Sequence, residues 1–134
     1  MPKFILTNLH KQILSNHAEN EKPNESCAIL FGKESKGKYN VERIFLTKNI
    51  EQSPVNFTIS AEQRLEADKI ERESELKIIG IFHSHPDSKA YPSKTDKKFM
   101  NLNPVAWIIF SGISNEFKAY VLDSEILEIP IETE

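Results

Sequence analysis

The chain has 134 residues, 39% of them apolar and 28% charged, with a formal net charge of −3. That size and balance suit a single globular domain over residues 1–134 and exclude disordered and fibrous classes. The slight negative charge gives no electrostatic grounds for a nucleic-acid or membrane-surface partner, and the longest uncharged apolar run, Pro104 to Phe110, is far below the roughly 18 residues that span a bilayer.

The amino-terminal stretch MPKFILTNLHKQ has too short an apolar run and no small-residue cleavage site for a signal peptide. Cys27 is the single cysteine, so neither an intramolecular disulfide nor a CxxC metal site can form, and a reducing cytoplasmic location is expected. The sequons at Asn24 and Asn56 then carry no weight.

Lys3 to Leu6 reads as a strand start. A helix is predicted from Thr7 or Asn8, with Leu9, Ile13 and Leu14 on one face and Pro23-Asn24 closing it. His10 and His17 share a face of that helix without a carboxylate in register and read as surface or packing residues. SCAILFG, over residues 26–32, is an apolar run bounded by turn residues, and YNVERIFL, over 39–46, is its antiparallel partner across the turn KESKGK. A third short strand is predicted at Asn56 to Ile59. Ser60 and Gln63 then form a capping box for a charged helix over 61–76, supported by the pairs Asp68–Arg72 and Glu73–Lys77. LKIIGIF, over 76–82, is the most apolar strand and is expected at the centre. A short helix from Ser93 to Met100 and strands at 105–111, 117–122 and 126–131 complete the chain. Interspersed elements with short turns predict an α+β fold, helices flanking a mostly antiparallel sheet.

The central strand ends in GIFHSHPDSKAYPSKTD. Side chains two apart on a strand share a side, so His83 and His85 converge while Ser84 faces away. Two imidazoles and one carboxylate make a catalytic zinc set with a fourth position left for water. Asp96 is the best-placed carboxylate, because Pro92 turns the loop back and Asp96 lies one turn into the helix beginning at Ser93. Bound zinc lowers the pKa of its water toward ~7 and polarises a carbonyl. A non-ligand carboxylate must then carry the proton to the leaving amine, but sixteen glutamates leave that choice open.

His83-Ser-His85-Pro with Ser93 and Asp96 resembles the JAMM metalloprotease signature of MPN domains. The upstream Pro23-Asn-Glu25-Ser-Cys27-Ala-Ile-Leu-Phe-Gly32 resembles that family's P-x-E-x-C-G-x-L-x-G strand, with Ala28 where glycine is usual. The likeness covers nearly the whole chain and is closest to the compact stand-alone prokaryotic members. It implies an α-β-α sandwich and one Zn²⁺ per chain on His83, His85 and Asp96. It also implies Glu25 as general base and acid, and Ser93 as donor to the developing oxyanion. The implied reaction is hydrolysis after the C-terminal tail of a ubiquitin-like or sulfur-carrier protein, the extended tail adding a strand along a sheet edge.

Other readings compete. Ser93 is also a helix N-cap. Cys27, in an apolar strand, reads as a buried hydrophobe rather than a nucleophile, and Asp87 as a turn residue or a partner orienting a histidine. Lys89, Lys94, Lys97 and Lys98 are a solvated face or steer an acidic partner. The alternative function is a non-catalytic MPN scaffold, although such members lose ligands that this chain keeps. A nucleobase deaminase needs a Cys-rich pattern that one cysteine cannot supply.

Overall fold

A computed structural model describes residues 2–134. In chain order the elements are β1 (Lys3–Ile5), α1 (Asn8–Glu21), β2 (Cys27–Ser35), β3 (Lys38–Thr47), α2 (Ala61–Glu73), β4 (Lys77–His85), α3 (Lys94–Leu102), β5 (Ala106–Ser111), β6 (Phe117–Asp123), β7 (Glu125–Ile129) and β8 (Ile131–Glu132). The eight strands form one sheet in the order β7-β6-β5-β4-β2-β3-β1-β8. β1 runs parallel to β3 and β8, and β4 parallel to β5, while the other four pairings are antiparallel. The fold is therefore mixed α/β with a mostly antiparallel sheet and a central β4.

The sheet departs from the flanked sandwich expected from the sequence. β7 pairs with β6 at one edge and β8 with β1 at the other, yet Pro130 alone separates them. Two edges joined through one residue must meet, so the sheet curls into a near-barrel. Proline has no N–H to continue the ladder. Its carbonyl instead accepts from Phe4 N–H at 2.9 Å on the opposite edge. The expected single strand 126–131 is broken here.

Alternation divides the core. Phe4, Leu6, Ala28, Leu30, Phe82, Ile108 and Ala119 are buried together with Leu14 and Ala18 of α1. Residues of the opposite parity pack under α2 (Ile29, Phe31, Ala67, Ile70) and under α3 (Met100, Trp107, Ile109). α1 buries Leu14 and Ala18, while Leu9 points to solvent, against expectation. His10 caps α1 through Nδ1, which accepts from Thr7 N–H. His17 Nε2–H donates to the carbonyls of Cys27 and Thr47, pinning α1 to the end of the β2–β3 pair. That hairpin turns on Lys36 and Gly37, both at positive φ, a tighter turn than KESKGK suggested.

Residues 56–59 are not a strand. Only an isolated bridge links Asn49 to Ile59, because the Asn49 side chain takes up Asn56 O and Thr58 N–H. Ser60 caps α2, but Gln63 accepts from Lys48 N–H rather than closing the box. α2 ends at Glu73, and Lys77 belongs to β4, so Glu73–Lys77 is not a helical pair.

Candidate metal centre

Three buried side chains meet at the tip of β4. His83, His85 and Asp96 each offer a ligand atom within 4.8 Å of the others. The two Nε2 atoms lie 3.0 Å apart, and Asp96 Oδ2 is 3.0 Å from His83 Nε2 and 3.1 Å from His85 Nε2. Donors around an ion held at about 2 Å from each are themselves about 3 Å apart, so the triangle has the size of a coordination face. Two imidazoles and a carboxylate are also a chemically complete donor set for a divalent ion.

The local reasons are simple. β4 runs on through His85, so strand alternation aims both imidazoles to one side. Asp96 arrives through a capping box: Ser93 Oγ accepts from Asp96 N–H at 3.0 Å, and Asp96 Oδ2 accepts from Ser93 N–H at 2.9 Å. His85 Nδ1–H donates to Lys89 O at 2.8 Å, which leaves Nε2 bare toward the cluster. The orienting partner is thus this carbonyl, whereas Asp87 sits exposed in the turn. His83 Nδ1 has no hydrogen-bond partner. Its ring is held instead by stacking on Phe57 (centroids 4.8 Å apart) and by the edge of Trp107 (5.7 Å).

Glu25 reaches the site by register. β2 and β4 are antiparallel with Cys27 opposite His83, so two places further on Glu25 faces His85. Ser84, pointing away from the imidazoles, fastens this end: its Oγ accepts from Ser26 N–H at 2.8 Å and its N–H donates to Ser26 O at 3.0 Å. Glu25 is only 3% exposed, not a surface loop residue, and its Oε1 has no hydrogen-bond partner. Burial pushes its pKa up to about 8, with a lowering contribution from His85 and raising ones from Asp96 and Glu51.

Burial pushes the imidazolium of His83 down. Burial also disfavours the charge on His85, but hydrogen bonds to Asp96 and to the Lys89 carbonyl outweigh it and raise its pKa. Asp96 is buried too, yet the two imidazoles beside it and the Ser93 N–H hold its carboxyl well below the usual carboxylate range. Cys27 is fully buried, its thiol pushed up to about 11 by burial, with a hydrogen bond from Thr47 Oγ1. It is a packing residue, as the sequence suggested.

A groove of about 390 Å³ runs over the sheet between α2 and α3. Its floor includes Ile81 and Trp107, and its walls include Arg64 and Asp68 of α2 and Phe99 and Leu102 of α3. The groove lining does not include the cluster itself, but Phe57 and Trp107, which line it, are the two residues against the His83 ring. Sequence reasoning missed Phe57, Trp107, Asn49 and the Lys89 carbonyl, whose roles depend on contacts that no local pattern announces.

Fold and donor set together define a mixed α/β domain with a metal-compatible centre on its middle strand. Residues 8–123 match the family described as prokaryotic homologs of the JAB domain, and the chain belongs to that family. It is 35% identical over 112 residues to desampylase of Pyrococcus furiosus, covering 82% of this chain and 76% of that one. It is 28% identical over 119 residues to CysO-cysteine peptidase of Mycobacterium tuberculosis, covering 86% and 80%. The solution structure of a protein from Desulfitobacterium hafniense aligns with a TM-score of 0.88 at 29% identity, covering 98% of this chain and 92% of the other. Family and relatives mark the chain as an enzyme, a peptidase of the JAMM type.

Proposed function

We propose that the chain is a zinc-dependent (iso)peptidase that cuts after the C-terminal tail of a ubiquitin-like or sulfur-carrier protein. His83, His85 and Asp96 would hold one Zn²⁺. The observation that carries this reading is the buried donor triangle with a protonatable carboxyl, Glu25, beside it. Two nitrogens and one carboxylate oxygen, with a face left open, suit zinc better than the oxygen-seeking Mg²⁺ or Ca²⁺. When bound, the ion supplies Lewis acidity that makes water nucleophilic near neutral pH and polarises the scissile carbonyl.

The chain's own groups do the rest. Glu25 takes a proton from the attacking water on its unpaired Oε1 and returns it to the departing amine nitrogen. Burial without a hydrogen-bond partner strengthens the carboxylate's hold on that proton, and the open Oε1 lets it both accept the proton and hand it on. Ser93 Oγ accepts from Asp96 N–H, so its own O–H is free to donate to the oxygen of the carbonyl under attack. His85 is held in the ligating tautomer by the Lys89 carbonyl.

The substrate class rests on the named relatives and on the groove. Both flanks of β4 are paired, with β2 and β5, so no free strand edge borders the site. We therefore seat the extended tail in the groove between α2 and α3, passing Phe57 and Trp107 to reach the ligands, rather than on a sheet edge. The test loads the protein with zinc and supplies tail-extended and conjugated ubiquitin-like and sulfur-carrier proteins, alongside Glu25→Gln. Cleavage at the tail, lost by about 10²–10⁴-fold in the variant, is expected. A protein that binds no stoichiometric zinc and cuts none of these substrates would be the scaffold instead.

A further inference from the structure

Between β3 and α2 the chain runs through residues 48–60 with no regular structure beyond the bridge at Asn49 and Ile59, yet it carries Phe57, the ring stacked on His83. A buried amide ties this segment to the site. Asn49 is 2% exposed. Its Nδ2 donates to Glu25 O at 3.0 Å and to Asn56 O at 2.9 Å, with Ser53 O at the longer distance of 3.5 Å, and its Oδ1 accepts from Glu51 N–H at 3.0 Å and Thr58 N–H at 3.1 Å. A side-chain amide has two donors and two acceptor positions, and all four are filled. Because every partner of Nδ2 is a carbonyl and both partners of Oδ1 are N–H groups, only one orientation of the amide fits.

The partners matter more than their number. Asn56 O and Thr58 N–H are the peptide groups on either side of Phe57. The Glu25 carbonyl belongs to the very residue whose carboxyl faces the ligands, and the Glu25 N–H donates in turn to Ser53 O at 2.8 Å in the same segment. One amide thus fastens the backbone of Glu25 and the backbone of Phe57 to a common point.

We infer that Asn49 is a positioning residue for the reaction, holding the Glu25 carboxyl and the Phe57 ring in fixed relation to the ligand cluster without touching substrate or metal. This inference rests on Glu25 being the base. Buried hydrogen bonds of this sort set geometry, and a shift of about 1 Å in a catalytic group can cost 10²-fold in rate.

Two substitutions separate the roles. Asn49→Ala removes all four bonds. Asn49→Asp keeps the acceptors for Glu51 and Thr58 but turns an oxygen toward the carbonyls of Glu25 and Asn56. Each variant is made in the full chain and assayed with a tail-extended ubiquitin-like protein, Glu25→Gln in parallel. In both, kcat should fall about 10–100-fold with KM within about twofold and zinc still stoichiometric. In the metal-free proteins, amide hydrogen exchange at Glu51 and Thr58 should quicken at least about tenfold in Asn49→Ala but stay near wild type in Asn49→Asp, with the β4 and β5 amides unchanged in both. Wild-type kcat in Asn49→Asp overturns the inference, and this variant suffices if Asn49→Ala does not fold. A loss of zinc or a rise in KM that accounts for the whole effect also overturns it. If Glu25→Gln itself keeps full kcat, the reading of Glu25 falls and takes this inference with it. If Glu25→Gln is inactive while the Asn49 variants are unimpaired, only the positioning role falls.

Discussion

Glu25 illustrates how function opposes stability at one residue. Its carboxyl is buried with Oε1 unpaired, and its pKa is raised by that burial from an ordinary 4.5 to about 8. A group with a raised folded pKa favours the fold fully at pH values below its unfolded pKa and withdraws that support as pH rises through the folded one. Between pH 4.5 and 8 the unfolded chain releases the proton while the folded chain keeps it, so each pH unit costs about 1.4 kcal/mol. Glutamine, of nearly the same shape, carries no such penalty. Metal-free Glu25→Gln should therefore be more stable than wild type by about 3 kcal/mol at pH 7, the gap closing toward pH 4.5. Urea denaturation at several pH values measures it, and a gap that stays constant with pH would show that the carboxyl is not held neutral. Composition and spacing left this residue among sixteen glutamates, and only the resemblance to the family's upstream strand singled it out. The β2–β4 register supplies the physical reason, setting Glu25 opposite His85 across a pairing of residues 60 positions apart.

At the scale of elements, the legible parts were the local ones. The period of two on a strand placed His83 and His85 together, and Ser93 with Asp96 announced a cap; both depend on neighbours within a few residues. Asn56 to Ile59 was misread as a strand because its apolar and β-branched residues fit one, while the side chain that claims its backbone lies at Asn49. A further constraint sits where β5 ends beside the motif. Gly112 N–H donates to His85 O at 2.9 Å, and a Cβ on Gly112 would lie 2.5 Å from Pro86 O. That neighbour is backbone, directly after a ligand, and cannot swing aside. Gly112→Ala should destabilise the fold by about 1–3 kcal/mol, as overpacking does. It should also weaken zinc binding in a competition titration with a chelator, because the strand tip must shift to admit the methyl. Unchanged affinity would mean that the tip tolerates the displacement.

Across the whole molecule, the site and the seam of the sheet lie in different places. Two of the three ligands hang from β4, the fourth strand in from one edge, and the third comes from α3, while the curl is closed where Pro130 passes the chain from pairing with β6 to pairing with β1. Edge-to-edge closure was not readable beforehand, since Pro130 marks a break in a strand without saying which partner comes next. The closing contacts are few: Phe4 N–H to Pro130 O at 2.9 Å, Leu6 N–H to Glu132 O at 3.0 Å, and the half-buried Ile131 against the core shared with α1. Phe4 and Leu6 are themselves fully buried, so the seam guards the core they share with Phe82 of β4 and Ile108 of β5. Ending the chain after Ile129 removes the short β1–β8 ladder, the exposed Lys3–Glu132 ion pair and the Ile131 packing, worth about 2–4 kcal/mol together. It also bares the β1 edge as a template for a second chain. The shortened protein should show a lower urea midpoint and concentration-dependent association on gel filtration, yet bind zinc with unchanged stoichiometry and cleave at the wild-type rate per folded molecule. Loss of zinc in step with the lost stability would instead tie the seam to the metal centre, through the Phe4 ring that lies against Gly80 of β4 across the core.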